Sequence, residues 1–169
     1  MDISYLRVDA TGLCGAIGMM SAPGLHRSLE LDLAELRDGH QCAVLVSLVG
    51  DQELQYLRIA DLPARARDHG IDVIRFPIGD HSTPDSHHGV IVLVERLLGM
   101  ARSGRTLIIH CWAGLGRTGL IAACCLVGCG FAPGNAIMTV RQHRPRAIED
   151  SDQEEFVETF ARAWLQGRT

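Results

Sequence analysis

The sequence has no hydrophobic run long enough to cross a bilayer. Its longest nearly continuous apolar stretch, Gly119 to Ala132, is too short and too rich in small residues. It has no excess of positive charge either. Lys and Arg number 16 against 20 Asp and Glu, a formal net charge of −4, which argues against general nucleic-acid binding. The start, Met1-Asp2-Ile3-Ser4-Tyr5, carries neither a basic nor an apolar segment, so no secretory signal is expected. None of the six cysteines (Cys14, Cys42, Cys111, Cys124, Cys125, Cys129) belongs to a CxxC pair, and no Cys/His spacing fits a zinc finger. Buried thiols are the ordinary reading for five of them, and no metal or other cofactor is expected. Internal repeats, low-complexity linkers and composition shifts are also missing. A cytoplasmic protein without membrane or nucleic-acid partners follows.

What is present suits one domain spanning residues 1–169. Apolar residues make up 47% and charged residues 21%, and a chain of this size hides roughly 70% of its surface on folding, so it needs no staples. Helical patterns alternate with short apolar runs. Helices are expected over 26–37, 51–57, 61–69, 85–102, 117–129, from Pro133 to about His143, and from Ser151, where Glu154 would complete a capping box. Strands are expected over 42–49, 71–76 and 106–110. Unbroken apolar strands between helices indicate a three-layer α/β fold around a mostly parallel sheet.

The third of these strands runs straight into His110-Cys111-Trp112-Ala113-Gly114-Leu115-Gly116-Arg117-Thr118-Gly119 and then into an apolar helix. Strand, glycine-bearing loop and helix N-terminus make an anion cradle, in which loop amides point inward and the helix dipole adds positive charge. Gly114 and Gly116 let the backbone bend tightly. A cysteine at the mouth of such a cradle has a stabilised thiolate, with a pKa of roughly 3.5–7.5 in comparable settings. Arg117 can grip two oxygens of a bound oxyanion with its planar fork. Nucleophile, amide donors from Trp112, Ala113, Gly114, Leu115, Gly116 and Arg117, and a bidentate cation thus surround one tetrahedral anion, most naturally a phosphate.

The loop resembles the signature of the cysteine-dependent protein tyrosine and dual-specificity phosphatases. Phe76-Pro77-Ile78-Gly79-Asp80 followed by Thr83-Pro84-Asp85, the segment Leu13 to Gly24 and the segment Arg141 to Phe156 resemble the kinase-associated type within that family. The resemblance implies the protein tyrosine phosphatase-like fold and a phosphocysteine intermediate, with Cys111 as nucleophile. Arg117 and the loop amides would hold the equatorial oxygens. It implies a loop-supporting role for His110 and, for Thr118, a hydroxyl that helps the thiolate leave. A leaving alkoxide needs a proton. Asp80 is the candidate acid, with Asp85 as competitor or N-cap of the following helix. Neighbouring parallel strands would bring the ends of the second and third strands to one sheet edge.

Some residues admit two readings. Glu149 stands where relatives place a water-positioning Gln, with Gln153 one turn on, and a carboxylate there would repel phosphate unless it faces away. Arg141, His143, Arg144 and Arg146 are either helix-end cations or an attractor for an acidic substrate. Trp112 is expected at the cradle rim, either touching substrate or passive. His81, His87 and His88 read as surface histidines, and Cys42 as a core thiol or a trap for oxidised Cys111. The expected substrate is a phosphoprotein carrying phosphotyrosine or phosphoserine/phosphothreonine, because no pocket-deepening Lys-Asn-Arg-Tyr-like segment is visible. With no lysine at 112, 113 or 115, a phosphoinositide is disfavoured. The alternatives are a phosphatase of inositol phosphates or nucleotides, a sulfurtransferase, and a phosphoprotein-binding module with little turnover.

Overall fold

A computed structural model describes residues 1–6 and 12–167. Its five strands are β1 (Ser4–Leu6), β2 (Ile17–Met20), β3 (Cys42–Ser47), β4 (Asp72–Arg75) and β5 (Thr106–His110), in the sheet order β1-β2-β5-β3-β4. β1 is antiparallel to β2, and every other pair is parallel. The helices are α1 (Leu29–Ala34), α2 (Asp51–Tyr56), α3 (Leu62–Asp68), α4 (His87–Arg102), α5 (Gly116–Gly128), α6 (Pro133–His143) and α7 (Ser151–Gln166). The result is the expected α/β fold, a mixed sheet flanked by helices.

The register levels four strand ends. Met20 and Ser47 both pair with His110, and Ser47 also pairs with Arg75. The carboxyl ends of β2, β3, β4 and β5 therefore form one straight edge, the place where open parallel sheets carry their sites. The expectation that the second and third predicted strands, β4 and β5, are neighbours is corrected, because β3 lies between them. Both still end at the same edge.

Behind that edge α5 is the central strut. Every residue from Gly116 to Val127 is buried, and α4, α6 and α7 all pack on it. An all-apolar helix needs such a jacket on every side. Close packing explains Gly128, where a Cβ would lie 2.7 Å from a Leu98 methyl and 3.0 Å from one of Val94.

Several helix ends differ from expectation for local reasons. The helix expected over 26–37 begins only at Leu29, because Ser28 is its N-cap and accepts from the Leu31 amide at 3.4 Å. It then widens into a π-helical turn over Glu35–Gly39, closed by the His40 amide on the Glu35 carbonyl. The helix expected from Asp85 starts at His87, capped by the Ser86 hydroxyl. The expected Ser151–Glu154 capping box is replaced by Asp150, whose carboxylate accepts from the Gln153 amide at 2.8 Å.

Candidate active site

His110 ends β5 and Gly116 begins α5, so the chain must reverse within residues 111–115. Gly114 makes this possible. Its φ is +73°, and a Cβ there would overlap the Met20 carbonyl at the end of β2. The loop is braced from outside. Arg144, itself buried, donates from Nε to the Gly114 carbonyl at 2.6 Å and from Nη1 to Ser4 Oγ at 3.2 Å. The Ala22 amide donates to the Trp112 carbonyl at 2.9 Å. With the carbonyls held outward, the amides of residues 112 to 117 make no hydrogen bond to any described residue. They are a row of unspent donors at a helix N-terminus.

Cys111, Trp112, Arg117 and Asp80 line one cavity of about 300 Å³, together with Glu149 and Gln153. Ala113 and His81 complete its wall, whereas Gly114, Leu115 and Gly116 are not among its lining residues. Cys111 is only 3% exposed. Asp80 reaches the cavity because the chain after β4 follows the exit of β3: Phe76 donates to the Ser47 carbonyl and Ile78 to that of Leu48. Asp85 is exposed and lies off this cavity.

Arg117 is the hub. Its Nη1 donates to Glu53 Oε2 at 2.9 Å and to the Ile78 carbonyl at 3.0 Å, and its Nη2 donates to Glu53 Oε1 and to Asp80 Oδ1, both at 2.9 Å. Burial pulls the guanidinium down in pKa, but the hydrogen bonds it donates to Glu53 and the charges of Cys111, Glu53 and Asp80 carry it above its ordinary value. Burial pushes the Glu53 carboxyl up, and hydrogen bonds from Arg117 and the Gly50 amide outweigh that and hold it below the usual range. Glu53 escaped the sequence reading. It sits 64 residues from Arg117, and in sequence it reads as an ordinary acid in the first turn of α2.

His110 is wholly buried. Its Nδ1–H donates to the Cys111 carbonyl at 3.0 Å, and Nε2 has no partner among the described residues. Burial lowers its pKa to about 4, so the ring is neutral at pH 7. Thr118, in the first turn of α5, has a buried hydroxyl that also lacks a partner among the described residues. Such a buried group is uncompensated.

Glu149 faces the cavity, and the alternative that it turns away is corrected. A Cβ on Gly116 would lie 2.5 Å from Glu149 Oε2 and 2.8 Å from Gln153 Nε2. The preceding backbone explains the aim. Arg146 and Ile148 have φ of +70° and +60°, left-handed values that a β-branched residue rarely adopts. Arg141 clamps this turn through the Ala147 and Ile148 carbonyls, and the buried Gln153 accepts from the Glu149 amide at 2.9 Å. Arg141 and Arg144 are therefore structural cations, His143 bonds the Thr139 carbonyl, and Arg146 has no partner among the described residues. His87 is likewise structural, stacking on Phe156 and bonding Thr159. Cys42 cannot trap Cys111. It pairs in register with Thr106, the opposite end of β5, about 16 Å away at ~3.3 Å per residue, far beyond disulfide reach.

Among the described residues no helix is long and apolar enough to cross a membrane. A family model described as "Polymorphic toxin system, DSP-PTPase phosphatase" matches residues 17–131. Cyclin-dependent kinase inhibitor 3 from Rattus norvegicus is 29% identical over 168 residues, covering 95% of this chain and 78% of that protein. The Homo sapiens protein of the same name is 29% identical over 169 residues, with the same coverage of both. Among solved structures, kinase associated phosphatase with its catalytic cysteine changed to serine superimposes with a TM-score of 0.90 at 26% identity, covering 98% of this chain and 96% of that one. The active form of Tk-PTP gives 0.74 at 28% identity, covering 94% and 97%.

Proposed function

The chain belongs to the DSP-PTPase phosphatase family, and from that premise we propose how its own residues divide the reaction. It is a cysteine-dependent protein phosphatase, hydrolysing phosphotyrosine and phosphoserine/phosphothreonine monoesters through a phosphocysteine. In the first step the Cys111 thiolate attacks phosphorus and the ester P–O bond breaks. Asp80, as the carboxylic acid, gives its proton to the leaving oxygen. Arg117 and the amides of residues 112 to 117 hold the equatorial oxygens throughout. In the second step water attacks phosphorus, its proton passes to the Asp80 carboxylate, and the P–S bond breaks to return the thiolate. Thr118 donates a hydrogen bond from its hydroxyl to that departing sulfur and keeps its proton. His110 steadies the loop through the Cys111 carbonyl and transfers no substrate proton.

One observation carries this assignment: Cys111, Arg117 and Asp80 converge on a single cavity, with Asp80 resting on the Arg117 donor that a phosphate oxygen would claim. A bound phosphate displaces the carboxyl from Nη2 and frees it to act on the leaving group. The proposed partner is a phosphoprotein, and residues 1–169 work as one phosphatase domain. Six unpaired cysteines fit a cytoplasmic, reducing setting.

Steady-state assays on para-nitrophenyl phosphate, phosphopeptides, inositol phosphates and nucleotides, without metal and with vanadate as competitor, test this reading. Phosphopeptide turnover that vanadate inhibits and Cys111→Ser abolishes is expected. Undiminished turnover by Cys111→Ser, or strong preference for a small phosphate, overturns it.

A further inference from the structure

Tyr56, the last residue of α2, is 78% exposed. Its ring lies 5.4 Å from that of Trp112, centroid to centroid, with the planes inclined at 45°. Between them, with Gln52 and Glu53, is an open hollow of about 320 Å³. Trp112 lines this hollow and the phosphate cavity alike, so the two share a wall.

Glu53, the charged residue of the hollow's lining, is already engaged, and so is Asp51 at the start of the same helix. Asp51 pairs with Arg75 at 3.0 Å, and both Glu53 oxygens are taken by Arg117. What the surface offers a ligand is two aromatic faces with neutral surroundings, and such a patch at the rim of a polar site favours an apolar occupant. Position decides which one. Trp112 walls the cavity that holds Arg117, so a phosphorylated residue seated there has its neighbours within reach of the indole on that side, successive residues of an extended peptide being about 3.8 Å apart.

We infer that Tyr56 and Trp112 form a specificity subsite for an aliphatic or prolyl side chain flanking the phosphorylated residue of the substrate. The inference rests on the phosphoprotein phosphatase reading above and names which substrates it favours. Burying one such side chain against two rings gives a preference of roughly fivefold to tenfold over a small polar residue.

The test uses phosphopeptides identical except for Leu, Pro, Ser or Arg at the positions just before and just after the phosphorylated residue. They are assayed with the wild type, Tyr56→Ala and Tyr56→Phe, beside para-nitrophenyl phosphate. The expected result is a preference of wild type and Tyr56→Phe for Leu or Pro at one flank. In Tyr56→Ala that preference falls to within about twofold, with turnover of para-nitrophenyl phosphate unchanged. Equal rates on Leu, Pro and Ser peptides by the wild type overturn the subsite. So do a preference for Arg, which would mark a cation–π site, and a preference that survives in Tyr56→Ala. Failure of the wild type to hydrolyse any phosphopeptide while cleaving para-nitrophenyl phosphate instead defeats the protein phosphatase reading, and the subsite with it.

Discussion

Arg117 and Glu53 meet fork to fork, each guanidinium nitrogen of the pair 2.9 Å from its own carboxylate oxygen. The arginine is 2% exposed and the glutamate 20%, so the pair fixes the plane in which Arg117 can receive a phosphate. Replacing Glu53 with Ala leaves a buried cation with, among the described residues, only Asp80 and the Ile78 carbonyl as partners. Loss of about 2 kcal/mol in urea unfolding is expected, less than for a fully buried pair because Glu53 is partly wet. A roughly 10- to 100-fold fall in kcat/KM on para-nitrophenyl phosphate should accompany it through misorientation. Glu53→Gln keeps one acceptor oxygen and should fall between. Wild-type values for both measurements in Glu53→Ala would show that the pair does not position Arg117.

Asp80 and Asp85 are separated by what lies around them rather than by spacing. Asp80 touches Arg117 and lines the cavity, whereas Asp85 is exposed just before the Ser86 cap. Asp80→Asn should lower kcat on an alkyl phosphate by roughly 10²–10⁴, and by less on an aryl phosphate, whose leaving group needs a proton less. Asp85→Asn should match the wild type on both. Side-by-side turnover of the two substrates decides it, and equal activity of Asp80→Asn and wild type removes Asp80 from the mechanism.

The sequence carried the local chemistry well and the long-range pairing poorly. The run from Thr106 to Gly119 announces strand, glycine turn and helix in one stretch, and it supplies Cys111, Arg117 and the loop amides together. β1 and β2 left no comparable mark. β1 has three residues, and Ile17-Gly18-Met19-Met20 has a glycine inside and lacks the β-branched run that signals a strand. The place of β3 between β4 and β5 depends on crossovers that no local pattern encodes. Glu53 was hidden for the same reason, since its partner is supplied by another layer of the fold. Glu149 was located, but its direction depends on the left-handed backbone at Arg146 and Ile148, and neither residue type advertises that.

Glu149 lines the cavity proposed to take phosphate, and its carboxylate would oppose that anion. A unit charge about 4 Å from a phosphate charge costs about 1 kcal/mol even at the dielectric of water. Glu149→Gln should therefore lower KM for a dianionic substrate about fivefold. Because the side chain is exposed, salt should screen the repulsion, and the gap between the two proteins should narrow at 1 M sodium chloride. KM measured at low and high salt checks this. An unchanged KM at low salt would mean that the carboxylate leaves the cavity when phosphate enters.

His110 ties loop geometry to acid stability. Burial holds its pKa at about 4, against 6.5 for a free imidazole. Below about pH 6.5 the unfolded chain takes up a proton at this residue while the folded chain does not. The unfolded state therefore binds more protons in that interval, and stability falls as pH drops from 6.5 towards 4, by about 3 kcal/mol in all. His110→Asn keeps an N–H that can reach the Cys111 carbonyl, but it cannot titrate. Carboxylates add their own acid sensitivity to both proteins and cancel in the comparison. Urea unfolding of wild type and variant between pH 4.5 and 7.5 should show the wild type losing stability more steeply, by an extra slope approaching one proton, or about 1.4 kcal/mol per pH unit. The measured quantity is the difference in slope, so a constant offset from altered packing does not disturb it. Parallel curves would mean that the imidazole ionises alike in the folded and unfolded chain, and that the neutral ring is not what braces the loop.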